Sequence, residues 1–256
     1  MTARIVWEGV YGSFAEARGD AGVFEGEIWL DKVRTRLRSD LADLQAGNGI
    51  PPLARTRDYP LPLLVALLHR ERRPVRVIDF GGGLAPTLFA SLAVLPGPAE
   101  VEYHVVETSA LCRAGREDLA EWACVQFHEE LPRLEGAVDV VQLASALHYI
   151  EDWRGLLARL LDYAPHYLLL ADLPAGSIPT FVTLQRFHGR GIPVWMWDLG
   201  DVTAAVAERG YDLIYRSRYI GRIDGVEGAL PTGNLPSGHQ LDSPCHLLFA
   251  RRGGDA

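Results

Sequence analysis

The chain has 256 residues and a formal net charge of −8, from 25 basic and 33 acidic side chains. Phosphate backbones need a basic face, so this charge weighs against a nucleic-acid partner while leaving room for small anions held by local arginines. Hydrophobic residues make up 48% and charged residues 23%, the balance of an ordinary globular protein able to bury one core without staples.

Single residue types exclude more. The N-terminus MTARIVWEGVYGS has no apolar signal core, and the longest apolar run, near Leu61 to Leu68, is too short to span a membrane. Cys112, Cys124 and Cys245 are odd in number and not at metal-ligand spacing, which fits small buried thiols in a reducing cytoplasm. Lys32 is the only lysine, with no glycine-rich loop before it, which disfavours pyridoxal Schiff-base and P-loop chemistry.

Between Glu27 and Gln45 apolar residues recur at Ile28, Trp29, Val33, Leu37, Leu41 and Leu44, a helical period. Arg34 and Arg38 lie one turn apart on its other side, on a solvated face or an anion-binding rim. Gly47 to Pro52 has loop composition, and Pro62 suits the first turn of a second helix running to about Arg70. From residue 75 strands and helices alternate. Strands are expected at Val75–Phe80, Val101–Glu107, Cys124–Phe127, Val138–Leu143 and Tyr167–Ala171, and helices over Pro86–Leu95, Ser109–Trp122 and Trp153–Tyr163. Short apolar strands separated by helices mean a parallel sheet covered on both faces. Pro174 to Trp197 has the look of an irregular stretch. A helix from about Asp201 to Arg209 follows, then strands near Tyr211–Tyr219 and Cys245–Arg251 with a loop, Pro231–Ser243, between them. The expected architecture is α/β, with a Rossmann-like domain over residues 74–256 behind an N-terminal helical cap over residues 1–73. The sheet is expected to be mostly parallel with a C-terminal antiparallel strand, and the domain to carry a substrate-site insertion at about 174–197.

The stretch VIDFGGGLAP, residues 77 to 86, runs an apolar strand into three glycines. Glycine there lets a ligand approach the backbone with no Cβ in the way. Gly81 and Gly83 fit the first two positions of the dinucleotide fingerprint, but the third falls on Pro86, which lacks the N–H and the smallness required. The carboxylate of Asp79 would repel a phosphate. S-adenosylmethionine carries an ammonium and a sulfonium and no phosphate, so an acidic rim suits it, and Glu107 at the end of the next strand is placed to accept from both ribose hydroxyls.

The segments VIDFGGGL, HVVETSAL, QFHEELP and DVVQLASALHYIEDW resemble the class I S-adenosylmethionine-dependent methyltransferases. More narrowly, the chain is similar to a family of methyltransferases often encoded near bacterial lipopolysaccharide O-antigen genes. That family also has a motif like VWEGVY, here Val6 to Tyr11, and a glutamine like Gln185 before a segment like Pro193 to Trp195. The resemblance runs from Val6 to about Leu213. One departure is Ala85, where the family often has glycine. The resemblance implies that Asp79, Phe80, Gly81, Gly82 and Gly83 lie along the methionine part of the cofactor. It further implies that Glu107 with Thr108 holds the ribose, that Phe127 and His128 flank the adenine, and that Ala144 and Ser145 approach the methionine moiety.

Methyl transfer is an in-line displacement, so alignment is the main task, and a hydroxyl acceptor also benefits from a base. The base candidates are His148, near the end of the fourth parallel strand, and His188 in LQRFHGRGIPVWMW. For the acceptor, Trp7, Tyr11, Tyr149, Gln185, Arg186 and Trp195 supply hydrogen bonds and flat apolar surface, with Arg190 and Trp197 nearby in sequence. Each also has a plain packing explanation. No histidine, cysteine or acidic cluster has the spacing of a metal site. The expected enzyme is a cytoplasmic methyltransferase acting on oxygen of a small molecule or glycan precursor, an O-antigen or other cell-surface sugar first. Tailoring of a secondary metabolite, on O or N, is the alternative. A non-catalytic methyltransferase-like partner protein is a third reading, opposed by the intact set of Asp79, Gly81, Gly83 and Glu107. Oligomeric state, a homodimer included, is open.

Overall fold

The computed structural model describes residues 5–20, 22–48, 59–69, 74–95, 100–223 and 226–253. In chain order its elements are β1 (Trp7–Tyr11), α1 (Phe14–Ala17), α2 (Glu27–Gln45), α3 (Pro60–Leu68), β2 (Val75–Phe80), α4 (Pro86–Leu92), β3 (Val101–Val106), α5 (Ser109–Asp118), β4 (Val125–His128), β5 (Val140–Ala144) and α6 (Trp153–Leu161). The rest are β6 (Tyr167–Leu173), β7 (Ala175–Gly176), β8 (Phe181–Phe187), β9 (Arg190–Asp198), α7 (Leu199–Ala207), β10 (Tyr211–Arg218), β11 (Gly221–Ile223), β12 (Val226–Gly228) and β13 (Cys245–Arg251).

The main sheet has seven strands in the order β10-β13-β6-β5-β2-β3-β4. β2 pairs parallel with β3 and β5, and β3 parallel with β4. The bonds Tyr167 N–H to Asp139 O and Ser145 N–H to Ala171 O run in the same sense and make β5 and β6 parallel as well. β10 and β13 are antiparallel, as the C-terminal part of the sequence implied. A four-stranded sheet, β1-β8-β9-β7, and the pair β11-β12 hold the other strands among the described residues.

By contacts the chain forms two compact units. Unit one takes the described residues of 1–23, 145–162 and 170–256, and unit two those of 24–144 and 163–169. In unit two, β2, β3 and β5 carry nearly unbroken buried runs, as strands covered on both faces must. α2 has only Leu37 and Asp40 buried, and its Arg34 donates to Asp118 (Nε to Oδ2, 2.6 Å) and pairs with Glu117. Arg34 therefore ties α2 to the end of α5, with two acids on hand rather than an anion rim. α3 opens on Pro60, with Pro62 inside its first turn, and buries Leu61, Leu64 and Val65. Most of the expected loop from Gly47 to Pro52 lies outside the described residues.

Unit one departs from the sequence expectation. Residues 174–197 are not irregular: β8 and β9 form a long antiparallel hairpin, Phe187 opposite Arg190 and Phe181 opposite Met196. Pro193 and Gly191, which argue against a strand, sit where β9 does not need their N–H groups for β8. The N–H of Gly191 donates instead to Asp20 Oδ2 (2.7 Å), and its carbonyl accepts from the Asp20 N–H. Pro193, two residues on, points its missing donor the same way. The N-terminal segment likewise contains a strand, since β1 pairs with β8 and sets Trp7 opposite Gln185. All three cysteines are free, Cys112 and Cys245 buried and Cys124 half-buried, and burial raises each thiol above its ordinary pKa.

Candidate functional site

In unit two the chain leaves β2 at Phe80 and turns through the glycines. Gly81 and Gly83 have φ of 70° and 58°, backbone that side chains with a Cβ avoid. Gly82 is required for space, because a Cβ there would stand 2.5 Å from Asp79 Oδ2. The Gly81 N–H donates to Val106 O (2.9 Å), which laces the turn to the end of β3. Ala85, the residue that replaces the expected glycine, also has positive φ, 56°, and it caps α4 with no side-chain bond. Pro86 at the first position of α4 has no N–H to leave unsatisfied.

Asp79 faces inward and is 1% exposed. It accepts from Tyr103 Oη (2.6 Å) and Thr87 Oγ1 (3.4 Å) at Oδ2, and from Gln142 Nε2 (3.1 Å) at Oδ1. Burial pushes its pKa up to about 6, against the opposing pull of these donors. Its carboxylate thus lies directly against Gly82 of the turn. Tyr103, Thr87 and Gln142 were missed in the sequence, although a glutamine inside the apolar run VVQLA is the usual mark of a buried polar network.

Glu107 follows β3 and is half-buried. Its Oε1 accepts the Gly83 N–H (3.1 Å) and its Oε2 the Thr108 N–H (2.8 Å). Burial raises its pKa and those two N–H groups partly restrain the rise. The Thr108 hydroxyl beside it is buried and has no partner among the described residues. Phe127 is 6% exposed and packs beneath α5, where Gly115 is needed because a Cβ would fall 2.4 Å from the ring. His128, half-buried, sets Nε2 3.1 Å from Nδ1 of the buried His104, whose Nε2 is 3.0 Å from Glu102 Oε1. Burial is the main reason both imidazoles have lowered pKa values. Unit two therefore assembles Gly81, Gly82, Gly83, Glu107 and Thr108 into one continuous rim, from the glycine turn to the start of α5, while Ala144 ends β5.

The other expected residues are in unit one. His148 lies in the 3-10 turn Leu147–Tyr149 and is 6% exposed, its ring centroid 4.1 Å from that of Tyr149. Burial drives its pKa down to about 3, and Nδ1 has no partner among the described residues. The Tyr149 hydroxyl donates to Gln185 Oε1 (2.7 Å). Arg186 grips Glu8 through Nε and Nη2, both 2.6 Å from Oε2. Trp7 belongs to a buried cluster with Val6, Phe181, Val194 and Met196, against which Tyr149 packs. Tyr11 and Trp195 pack on Ala17, Val182 and Leu184, and the Trp195 indole N–H donates to Glu151 O (3.2 Å). His188 is separate from these. It is exposed at the tip of the β8–β9 hairpin, where it and Gly189 have φ of 47° and 79°, the left-handed pair of a two-residue turn. Ser145, just after β5, donates its hydroxyl to Asp172, an acid that the sequence reading passed over although it stands near the end of an apolar strand, as Glu107 does. No group of three or more ligating side chains among the described residues can hold a metal ion. No helix among them is long and apolar enough to cross a membrane.

No family model and no curated protein matches the chain. Solved structures do. Magnesium protoporphyrin IX methyltransferase of Synechocystis PCC 6803, with bound S-adenosylhomocysteine, is 14% identical and has a TM-score of 0.52 over 91% of this chain and 100% of that one. A methyltransferase of Haloferax volcanii, in complex with the Trm112 activator, is 12% identical with a TM-score of 0.52 over 91% of this chain and 97% of that one. The fold is thus the Rossmann-like fold of class I methyltransferases.

Proposed function

We propose that this chain is a methyltransferase that moves the methyl group of S-adenosylmethionine to an oxygen of a small molecule or glycan precursor, a sugar hydroxyl in first place. The observation that carries the reading is the rim of unit two, where the half-buried Glu107 carboxylate accepts from the Gly83 and Thr108 N–H groups beside a Thr108 hydroxyl that has no partner among the described residues.

These residues fit that cofactor. Glu107 keeps acceptor capacity for ribose hydroxyls, since a carboxylate has about four lone-pair sites and two are used. The Thr108 hydroxyl can take up a further polar group. Gly81 and Gly83 leave the backbone bare for the amino-acid part, and Asp79 fixes the turn from within rather than touching the ligand. A dinucleotide fits worse, because Pro86 removes an N–H at the helix start. The cofactor, once bound, supplies a methyl group on a positively charged sulfur. The protein's work is then to hold the acceptor oxygen in line and to exclude water. Tyr149, Gln185 and the Arg186–Glu8 pair, flanked by Trp195, give unit one the polar groups and flat apolar surface that a sugar needs. The similarity to methyltransferases encoded near O-antigen genes favours a cell-surface sugar within that class.

Calorimetric titration with S-adenosylhomocysteine, with NAD as control, tests the cofactor assignment. Micromolar binding is expected for the first and none for the second. Glu107→Ala removes the ribose acceptor and is expected to weaken binding by about 2–3 kcal/mol, roughly 30- to 150-fold. Equal affinity in wild type and variant would remove the basis of the assignment.

A further inference from the structure

We propose that Asp172 takes the proton of the acceptor hydroxyl during methyl transfer, that Ser145 positions its carboxylate, and that the acceptor is accordingly a neutral alcohol and not a carboxylate. This rests on the methyl-transfer reading above and extends it to the acceptor's chemistry.

Two side chains of unit one stand in left-handed backbone at neighbouring strand ends. Ser145 has φ 53° immediately after β5, and Asp172 has φ 51° as the penultimate residue of β6. The Ser145 N–H donates to Ala171 O (3.0 Å), so the two strained residues are seated side by side. Left-handed backbone is costly for any residue with a Cβ, and such outliers persist where surrounding structure holds them, most often at sites of function. Here the strain turns the two side chains onto each other, and the Ser145 hydroxyl donates to Asp172 Oδ2. β6 presents this half-buried carboxylate after the four buried residues Leu168 to Ala171, at the strand end where parallel sheets bind ligands.

The neighbourhood suits an alcohol. Burial, and after it the negative charge of Asp172, raise the Tyr149 phenol above its ordinary pKa. Tyr149 in turn holds the Gln185 carbonyl oxygen, which leaves the Gln185 amide nitrogen without a partner among the described residues. In the proposed step the ionised Asp172 carboxylate is the proton sink for the acceptor hydroxyl, and the neutral Gln185 amide is a donor able to orient it. An acceptor carrying its own carboxylate needs no base and would meet repulsion from Asp172. The two histidines serve less well. His148 is too weakly basic in its buried setting, and His188 is a turn residue at an exposed hairpin tip.

In the step, the acceptor O–H bond breaks and its proton passes to Asp172. The oxygen's electron pair forms the new bond to carbon, and the carbon–sulfur bond breaks with its pair left on sulfur as a neutral thioether. Asp172 then returns the proton to water.

The test supplies tritiated S-adenosylmethionine to wild type, Asp172→Asn, Asp172→Ala and Ser145→Gly. The acceptor probes are free and nucleotide-linked neutral hexoses and 6-deoxyhexoses, and the matching uronic acids. Label is expected in the neutral sugars alone. Both Asp172 variants should lose about 10²–10⁴-fold in kcat, and Ser145→Gly roughly tenfold, as expected when a base keeps its chemistry and loses its orientation. KM and the affinity for S-adenosylhomocysteine should stay within about threefold in both Asp172 variants, a scatter under about 1 kcal/mol. Asparagine tolerates left-handed backbone, so Asp172→Asn should melt with the wild type. Undiminished kcat in Asp172→Asn, methylation of the uronic carboxylates, or no labelled sugar from a wild type that binds S-adenosylhomocysteine would each overturn the proposal. A wild type that fails to bind S-adenosylhomocysteine refutes instead the methyl-transfer reading beneath it.

Discussion

Asp79 and His148 show how burial sets the charge of single residues here, and with opposite consequences for stability. Asp79 titrates near 6 in the folded chain and at 3.8 as an isolated group. Between those values the fold holds a proton that the unfolded chain has lost, so this share of stability declines as pH rises through 4 to 6 and is flat above. His148 titrates near 3 when folded against 6.5 unperturbed. Its share is fully present above about 6.5 and is lost as pH falls below that, by up to about 1.4 kcal/mol per pH unit. His148→Phe keeps a ring against Tyr149 and removes the unpartnered Nδ1. The variant is expected to match or exceed wild-type stability by about 1 kcal/mol at pH 7.5. The gap should widen by about 1 kcal/mol per unit between pH 6 and 5. Urea denaturation at those three pH values measures it, and a constant gap would mean that the ring is solvated. The sequence could show that a histidine follows an apolar strand, but not that three residues of 3-10 turn would tuck it inward. Asp172 was legible and overlooked: LADLP has the same form as the segment that ends in Glu107.

Among the elements, the parallel strands were readable because β2, β3, β5 and β6 are buried on both faces and need continuous apolar residues. The β8–β9 hairpin was not, because its strand residues are interrupted by Gly191 and Pro193 and its turn by His188 rather than asparagine or aspartate. What makes it a hairpin is tertiary. β1 covers one side of β8 and Asp20 takes the N–H that Gly191 turns away from the ladder. The turn itself has a sharp requirement, since His188 and Gly189 both sit at positive φ. His188→Asn, with a residue better suited to left-handed backbone, is expected to hold or raise stability. His188→Val, β-branched at the same position, should cost about 1–2 kcal/mol. Thermal melts of the two variants against wild type check this, and an unharmed His188→Val would mean that the turn relaxes to another type.

At the scale of the whole chain, the sequence yields the strands but not the order in which they pair. β2 lies between β5 and β3, and β13 inserts between β6 and β10, an arrangement fixed by crossovers that no local pattern encodes. That order matters because it makes β2, with its glycine turn, and β3, with Glu107, direct neighbours. In the proposed reading, a ligand on their ends engages Gly81, Gly83, Glu107 and Thr108. Binding of S-adenosylhomocysteine to the folded state alone must raise stability by RT ln(1 + [L]/Kd), about 2.7 kcal/mol at a hundredfold excess over Kd. In a chain of this size that corresponds to a rise of roughly 5–10 °C in melting temperature. NAD at the same concentration should give none. Hydrogen exchange locates the effect, with slower exchange expected at Gly81 to Leu84 and at Glu107 to Ser109. Little change is expected in β10 and β13, which carry none of the residues assigned to the ligand. A melting shift accompanied by protection in β10 and β13 instead would place the ligand elsewhere and detach the glycine turn from cofactor binding.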